Sequence, residues 1–360
     1  MTDRIPLART DIGAAETAGV SRVMESGRLA LGEEMREFEQ AIADYHDVAG
    51  AVMVNSGTSG LMVSLHSLGV GNGDEVIMPA LTFVGTVNAI LAVGATPILV
   101  DVDRDSANID PNRIKDAISA QTRTVMPVHL YGLPAAMSEI LDVARAYKLT
   151  VVEDACEAIG ADYDGKKMGS FGDAGVFGFY PNKSLTTGEG GMVISNDASL
   201  LARCRAMVNQ GRGADPNAIV GYSLRGSELS AAIGRAQLAS LDVRISERQR
   251  IAQRYIDAFT AIPEVHLLSP SSPRSWFTFP VLLPHGIDRD RVKGKLAKQG
   301  IASAEYFPAI QTLSGYRDRI RMSGDLSASE DIGQRVLCLP FWRGVEAHIS
   351  EIVESLADSL

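Results

Sequence analysis

Cysteine is scarce. Three occur in 360 residues, Cys156, Cys204 and Cys338, and no two are spaced as a C-x-x-C pair. An odd, scattered count excludes a disulfide framework and fits three reduced thiols in a cytoplasmic protein. The six histidines (46, 66, 129, 266, 285 and 348) show no HxxxH or HExxH spacing, so no dedicated metal site is expected. Positive charge is in deficit as well. With 34 Lys+Arg against 44 Asp+Glu the formal charge is -10, which repels phosphate polymers and anionic membranes. Neither nucleic acid nor a membrane is expected as a partner. The first residues, MTDRIPLART, contain no apolar stretch of signal-peptide length. Hydrophobic residues at 46% and charged residues at 22% exclude a disordered chain.

Familiar nucleotide and hydrolase motifs are missing too. Gly160–Lys167, GADYDGKK, has the spacing of a phosphate loop but ends in Lys where a hydroxyl must reach magnesium. Asp162 and Asp164 would face the phosphates with like charge. A surface β-turn at Asp164-Gly165 is the simpler reading. No GxGxxG follows an expected strand, and no GxSxG occurs.

What the chain does contain is a long uncharged run. Val76 to Val100 is 25 residues, 17 of them apolar. Pro79, Gly85, Gly94 and Pro97 interrupt it where a spanning helix would have to continue. The spacing predicts strand 75–78, helix 84–93 and strand 97–100, buried on both faces. Similar alternation covers the first two thirds. Strands are expected at 51–54, 124–129, 150–153, 174–179 and 191–194. Helices are expected at 61–68, 110–119, 137–147 and 197–208. This predicts an α/β fold with a mostly parallel sheet flanked by helices. Helices at 227–241 and 243–260 follow. Strands at 277–283 and 301–307, with helices at 289–299 and after Val345, suggest a smaller α+β unit. At roughly 150 residues per domain, two domains are expected, 1–240 and 241–360.

Three elements carry chemistry. Asn55-Ser56-Gly57-Thr58-Ser59-Gly60 follows a strand and opens a helix, where free N–H groups and the dipole suit a phosphate. An ordinary N-cap by Ser56 or Thr58 explains the same residues. Glu153-Asp154 ends a strand, the place where open α/β sheets bind ligands. One carboxylate could cap a loop and the other hold a protonated ring nitrogen. Lys183 stands between the apolar strand AGVFGF and the cluster Gly188-Glu189-Gly190-Gly191. Partial desolvation there favours a neutral, nucleophilic amine. A phosphate cradle, an Asp for a ring nitrogen and a reactive Lys together suit pyridoxal 5'-phosphate.

At this point the chain resembles the DegT/StrS family of sugar aminotransferases, which are fold-type-I pyridoxal-phosphate enzymes. The matching blocks run in order: NSGTSGL (55–61), GDEVIMPALTFVGTVNAI (73–90), PVHLYG (127–132), VVEDACEAIGA (151–161), FYPNKSLTTGEGGM (179–192), GYSLRGSELSAAIGRAQL (221–238), AEYFP (304–308) and CLPFW (338–342). The resemblance implies that Lys183 forms the Schiff base and Asp154 partners the pyridine nitrogen. It implies that Gly57 and Thr58 hold the phosphate and Phe83 stacks on the ring. Glu157 stands where the family often has Gln or His near the cofactor's 3-hydroxyl. A carboxylate beside a phenolate repels it unless one of them is protonated. Gly178 stands where many members have a phosphate-binding Ser. Ser223 replaces an Asn implied to reach the neighbouring subunit's phosphate, and Gln311 lies near a usual His. Tyr306 and Phe307 are candidates for the sugar site or for the core. His129 is a candidate for the cofactor or for a structural hydrogen bond. Arg212 and Arg225 are candidates for anion contacts.

The implied activity is ping-pong transfer of an amino group from L-glutamate (or glutamine) to a nucleotide-linked keto sugar by a homodimer with interfacial active sites. The alternatives are a cyclitol or other non-sugar aminotransferase or lyase on the same fold, and a non-catalytic regulatory homologue.

Overall fold

The computed structural model describes residues 4–213 and 219–360. Its centre is an eight-stranded sheet. The spatial order is Gly50–Val54, Gly191–Ser195, Ala174–Gly178, Thr150–Asp154, Thr122–Val125, Glu75–Pro79, Thr96–Val100 and Arg321–Met322. Only Gly191–Ser195 runs against its neighbours; the other pairings are parallel. Glu75–Pro79 and Gly191–Ser195 are buried from end to end, and four more strands at all but one terminal residue, as in sheets covered by helices on both faces.

The uncharged run folds as strand, helix and strand. Glu75–Pro79 pairs in parallel with Thr96–Val100, and helix Val84–Ala92 connects them. Gly160–Lys167 forms a tight hairpin between Asp162–Tyr163 and Lys166–Lys167. Asp164 (φ 51°) and Gly165 (φ 81°) both lie in the left-handed region there. The sequence reading places no element before Ala51. The structure has two helices there, Ala14–Ser26 and Glu33–His46, packed on helix Glu228–Ala239. Gly234 makes room for the Phe38 ring, which a Cβ would meet at 2.4 Å. The buried Glu228 carboxylate accepts N–H groups from Gly32, Glu34 and Met35, so it caps helix Glu33–His46 from a distant part of the chain.

Two expected strands are corrected. Strand Thr122–Val125 stops short of His129, because Pro127 offers no N–H to a ladder. Residues 301–307 form no strand: Ile301 bridges to Ile5 and Ala304 to Cys338, so their pairing is split between two partners. The expected helix 110–119 is also shorter, ending its α-helical part at Ile114. The C-terminal part has a three-stranded antiparallel sheet of His266–Leu267, Phe279–Leu282 and Val336–Leu339. Helices Leu241–Phe259, Arg289–Lys298 and Ile349–Ala357 enclose a core that includes Tyr255, Trp276, Phe279 and Phe341. Tyr255 stacks on Phe279 at 4.5 Å between centroids. Such a pair adds about 0.5–1.5 kcal/mol beyond the area it buries.

Candidate active site

Strands Gly50–Val54, Glu75–Pro79, Thr150–Asp154 and Ala174–Gly178 end at one edge of the sheet, and a cavity of about 390 Å³ opens beyond them. Gly57, Thr58, Phe83, Glu157 and Lys183 line it. A smaller recess sharing Thr58, Phe83, Glu157 and Lys183 reaches down to Asp154. Five of the implied site residues thus meet around the recess, and Gly57 joins them in the main cavity. Ser223 lines neither; its hydroxyl accepts from Arg225, which also donates to Asn209 at 3.0 Å. Arg212, Arg225 and Gln311 do not line the cavity either. Tyr306 and Phe307 do.

The helix start is built for close approach. Ser56 is the N-cap, and its hydroxyl accepts the Ser59 N–H at 3.1 Å. The Gly60 N–H goes to the Ser56 carbonyl. That leaves the N–H groups of Gly57 and Thr58 without an acceptor in the helix's own first turn. A Cβ on Gly57 would meet the Cys156 sulfur at 2.6 Å, and one on Gly191 would meet backbone of Ser56 and Gly57 at 2.7–2.8 Å. The cradle is therefore packed backbone to backbone.

Strand alternation sends Glu153 and Asp154 to opposite faces. Asp154 is buried at the recess, where Oδ2 accepts from Thr86 Oγ1 at 2.7 Å and Oδ1 from the Cys156 N–H at 3.2 Å. Glu153 points away and caps a loop: it accepts the N–H groups of Gly169, Phe171 and Gly172. His129 donates to it from Nε2 at 3.1 Å, while its Nδ1 accepts the Ala135 N–H. His129 is a structural hydrogen-bonder, and its ring is fully buried.

Lys183 sits in a loop that folds back on strand Ala174–Gly178. Its own N–H goes to the Tyr180 carbonyl and the Thr187 N–H to the Phe179 carbonyl. The Lys183 ammonium lies 3.3 Å from Glu157 Oε1 and 3.8 Å above the Phe277 ring. Phe277, Tyr306, Phe307 and Phe83 follow one another as neighbouring rings, giving the cavity an aromatic wall. Burial raises Glu157 above the usual carboxylate range, the Lys183 charge opposing it.

Several residues here escape sequence reasoning. Thr86 is hidden in the uncharged run. Tyr131 adopts φ 56°, which aims its N–H at Glu157. Arg248 reads as one more charge on a long helix. It donates to Ser184, beside Lys183, and to the Phe277 carbonyl, joining the lysine loop to the aromatic wall. Burial pushes its guanidinium down to about 10, with nearby Arg244 adding to the effect.

Comparison with known proteins gives a consistent result. The chain is 37% identical to GDP-perosamine synthase of Caulobacter vibrioides, over 98% of this chain and 97% of that protein. It is 34% identical to GDP-perosamine synthase of Escherichia coli O157:H7, over 93% of each. Its fold superposes on S. venezuelae DesV, solved in complex with a ketimine intermediate, with a TM-score of 0.91 and 33% identity. That match covers 99% of this chain and 98% of DesV. Residues 10–357 match the profile of one aminotransferase family. The chain belongs to the DegT/DnrJ/EryC1/StrS aminotransferase family.

Proposed function

We propose that the chain is a pyridoxal-phosphate-dependent aminotransferase that moves an amino group from L-glutamate (or glutamine) to a nucleotide-linked keto sugar. One observation carries the reading: Lys183 and the free N–H groups of Gly57 and Thr58 line one cavity, and Asp154 lines the recess that shares Thr58 and Lys183 with it. The residues fit the cofactor, since an amine, a buried carboxylate and a helix start with no room for a Cβ at Gly57 suit its aldehyde, ring nitrogen and phosphate. When bound, the cofactor supplies a carbonyl for amine capture and a ring that takes up the electron pair left at the donor's α-carbon.

The chain's own residues do the rest. Gly57 and Thr58 bind the phosphate. Asp154, oriented by Thr86, keeps the ring nitrogen protonated. Phe83 would pack on the ring, with Phe277, Tyr306 and Phe307 lining the space beside it. Lys183 would hold the cofactor covalently, and its free amine would act as the general base that accepts the proton of the donor's α-carbon. Two half-reactions through one site give ping-pong kinetics. The GDP-perosamine synthase relatives favour a nucleotide-linked acceptor over a cyclitol.

The reading also takes the chain as a cytoplasmic homodimer with domains 1–240 and 241–360. No helix among the described residues is long and apolar enough to cross a membrane, and residues beyond 241 supply nearly all of one hydrophobic core, which Ile5 joins. Purified protein given the cofactor should show a visible absorbance band that borohydride fixes, with glutamate-dependent amination of nucleotide-linked keto sugars. Lys183→Ala should lose both. Activity retained in Lys183→Ala would overturn the mechanism, and transfer to cyclitol ketones alone would overturn the substrate class.

A further inference from the structure

The Lys183–Glu157 contact leads to an inference that rests on the cofactor reading above. Glu157 is buried, and its two oxygens have different partners. Oε2 accepts the Tyr131 N–H at 2.9 Å, and Oε1 faces Lys183 Nζ at 3.3 Å, at the cavity wall. Tyr131 is fixed by its own hydroxyl, which donates to the Tyr306 carbonyl. The other titratable groups facing Glu157 are Asp154 and Cys156 on its own strand end, the phenols of Tyr131 and Tyr306, and the Cys338 thiol. Burial pushes those thiols and phenols up, Cys338 to about 12, so all four are neutral near pH 7. Among the described residues the charged neighbours are therefore Asp154, an anion, and Lys183, a cation. Burial is the largest influence on Glu157 and raises it even against the Lys183 charge. The Lys183 ammonium and the Tyr131 N–H are the contacts that favour its ionised form.

Pyridoxal phosphate carries an anionic ring oxygen on the carbon next to the one bearing its aldehyde. The carbon on the other side bears the phosphate arm, which the helix start at Gly57 and Thr58 receives. Glu157, within hydrogen-bond reach of Lys183 Nζ, would then stand beside that ring oxygen. An ionised Glu157 would face a second anion in a dry site, with Asp154 as a third. Like charges a few ångströms apart cannot both stay ionised there at small cost.

We propose that Glu157 takes up a proton from solvent when the cofactor occupies the cavity and, as a neutral acid, donates a hydrogen bond to the ring oxygen. Without the cofactor it is ionised and paired with Lys183. The Tyr131 N–H holds Oε2 in both states, so the proton sits on Oε1 and points into the cavity. No bond to carbon changes; the only transfer is one proton from water to a carboxylate.

Infrared difference spectra of the full chain, loaded with pyridoxal phosphate minus cofactor-free, test this directly. A protonated-carboxyl C=O stretch should appear on loading. It should shift in D2O, move when glutamate carboxyls carry carbon-13, and vanish in Glu157→Gln. Glu157→Leu, which suits a buried position, gives the same assignment if the glutamine variant does not fold. Bound cofactor without a protonated-glutamate band overturns the proposal alone, as does a band that survives in a folded Glu157 variant. A native chain that retains no cofactor overturns the aminotransferase reading and this proposal with it.

Discussion

Glu153 and Asp154 are adjacent and ionisable, yet they serve opposite ends. Each Glu153 oxygen meets only donors: Oε1 takes the N–H groups of Phe171 and Gly172, and Oε2 takes those of Gly169 and His129. A glutamine there must turn its NH2 toward N–H groups whichever way it flips. Buried donors left unsatisfied cost about 1–3 kcal/mol each. Glu153→Gln should therefore lose about 2–4 kcal/mol in urea unfolding while a folded fraction keeps its cofactor. A loss below about 0.5 kcal/mol, the scatter of a neutral surface change, would show that the loop does not need this cap. Asp154 keeps its carboxylate toward the recess, held by one hydroxyl and one N–H. Residue identity alone could not separate the two roles. The strand's twofold alternation, once its burial is known, does so.

At the level of elements, the helix start is shaped by the strand beside it. Gly191 opens strand Gly191–Ser195, and a Cβ on it would press on backbone atoms of Ser56, Gly57 and Phe177. Backbone cannot swing aside as a side chain can, so Gly191→Ala should displace the phosphate cradle. Cofactor affinity, measured by fluorescence titration, should fall at least about tenfold, or ~1.4 kcal/mol. Helix Glu33–His46 offers a test by pH. His46 is buried against Phe177, its Nδ1 bonded to the Ile42 carbonyl. Burial pushes it down to about 4. The unfolded chain takes up this proton near pH 6.5, but the folded chain only near 4. Its contribution is complete above pH 6.5 and drains as pH falls toward 4, by at most about 3 kcal/mol. Urea midpoints at pH 7 and pH 5 should differ more for the native chain than for His46→Leu. Equal differences would mean that His46 does not stay neutral in the fold.

For the whole molecule, the cavity mouth carries apolar surface that a single chain leaves open. Phe83 is 53% exposed and Tyr180 54% there, and away from the cavity lining Val220 and Tyr222 are exposed as well. These residues fit the proposed interface with a second copy, and light scattering should give twice the chain mass. A monomer with full activity would contradict interfacial active sites. Chain connectivity also cuts across the proposed 1–240 and 241–360 division. Ile5 bridges to Ile301 and joins the C-terminal core, while Arg321–Met322 adds an edge strand to the main sheet. Separate expression of either part would expose both seams.

The net charge of -10 sharpens the question of how anions are held. On the proposed reading the answer is local: two backbone N–H groups at a helix start and one lysine against an acidic background. The sequence by itself determined the alternation of strands and helices, the buried strand–helix–strand piece and the roles open to Lys183 and Asp154. These depend on local periodicity and on residue chemistry at strand ends. Tertiary structure decided the rest. Residues 301–307 lose their strand because their partners lie far apart in the chain. Glu228 caps a helix nearly two hundred residues away. Glu157 meets Lys183 and Tyr131 only after three strand ends converge. Such contacts depend on which distant segments share a neighbour, and a local pattern of residues does not specify that.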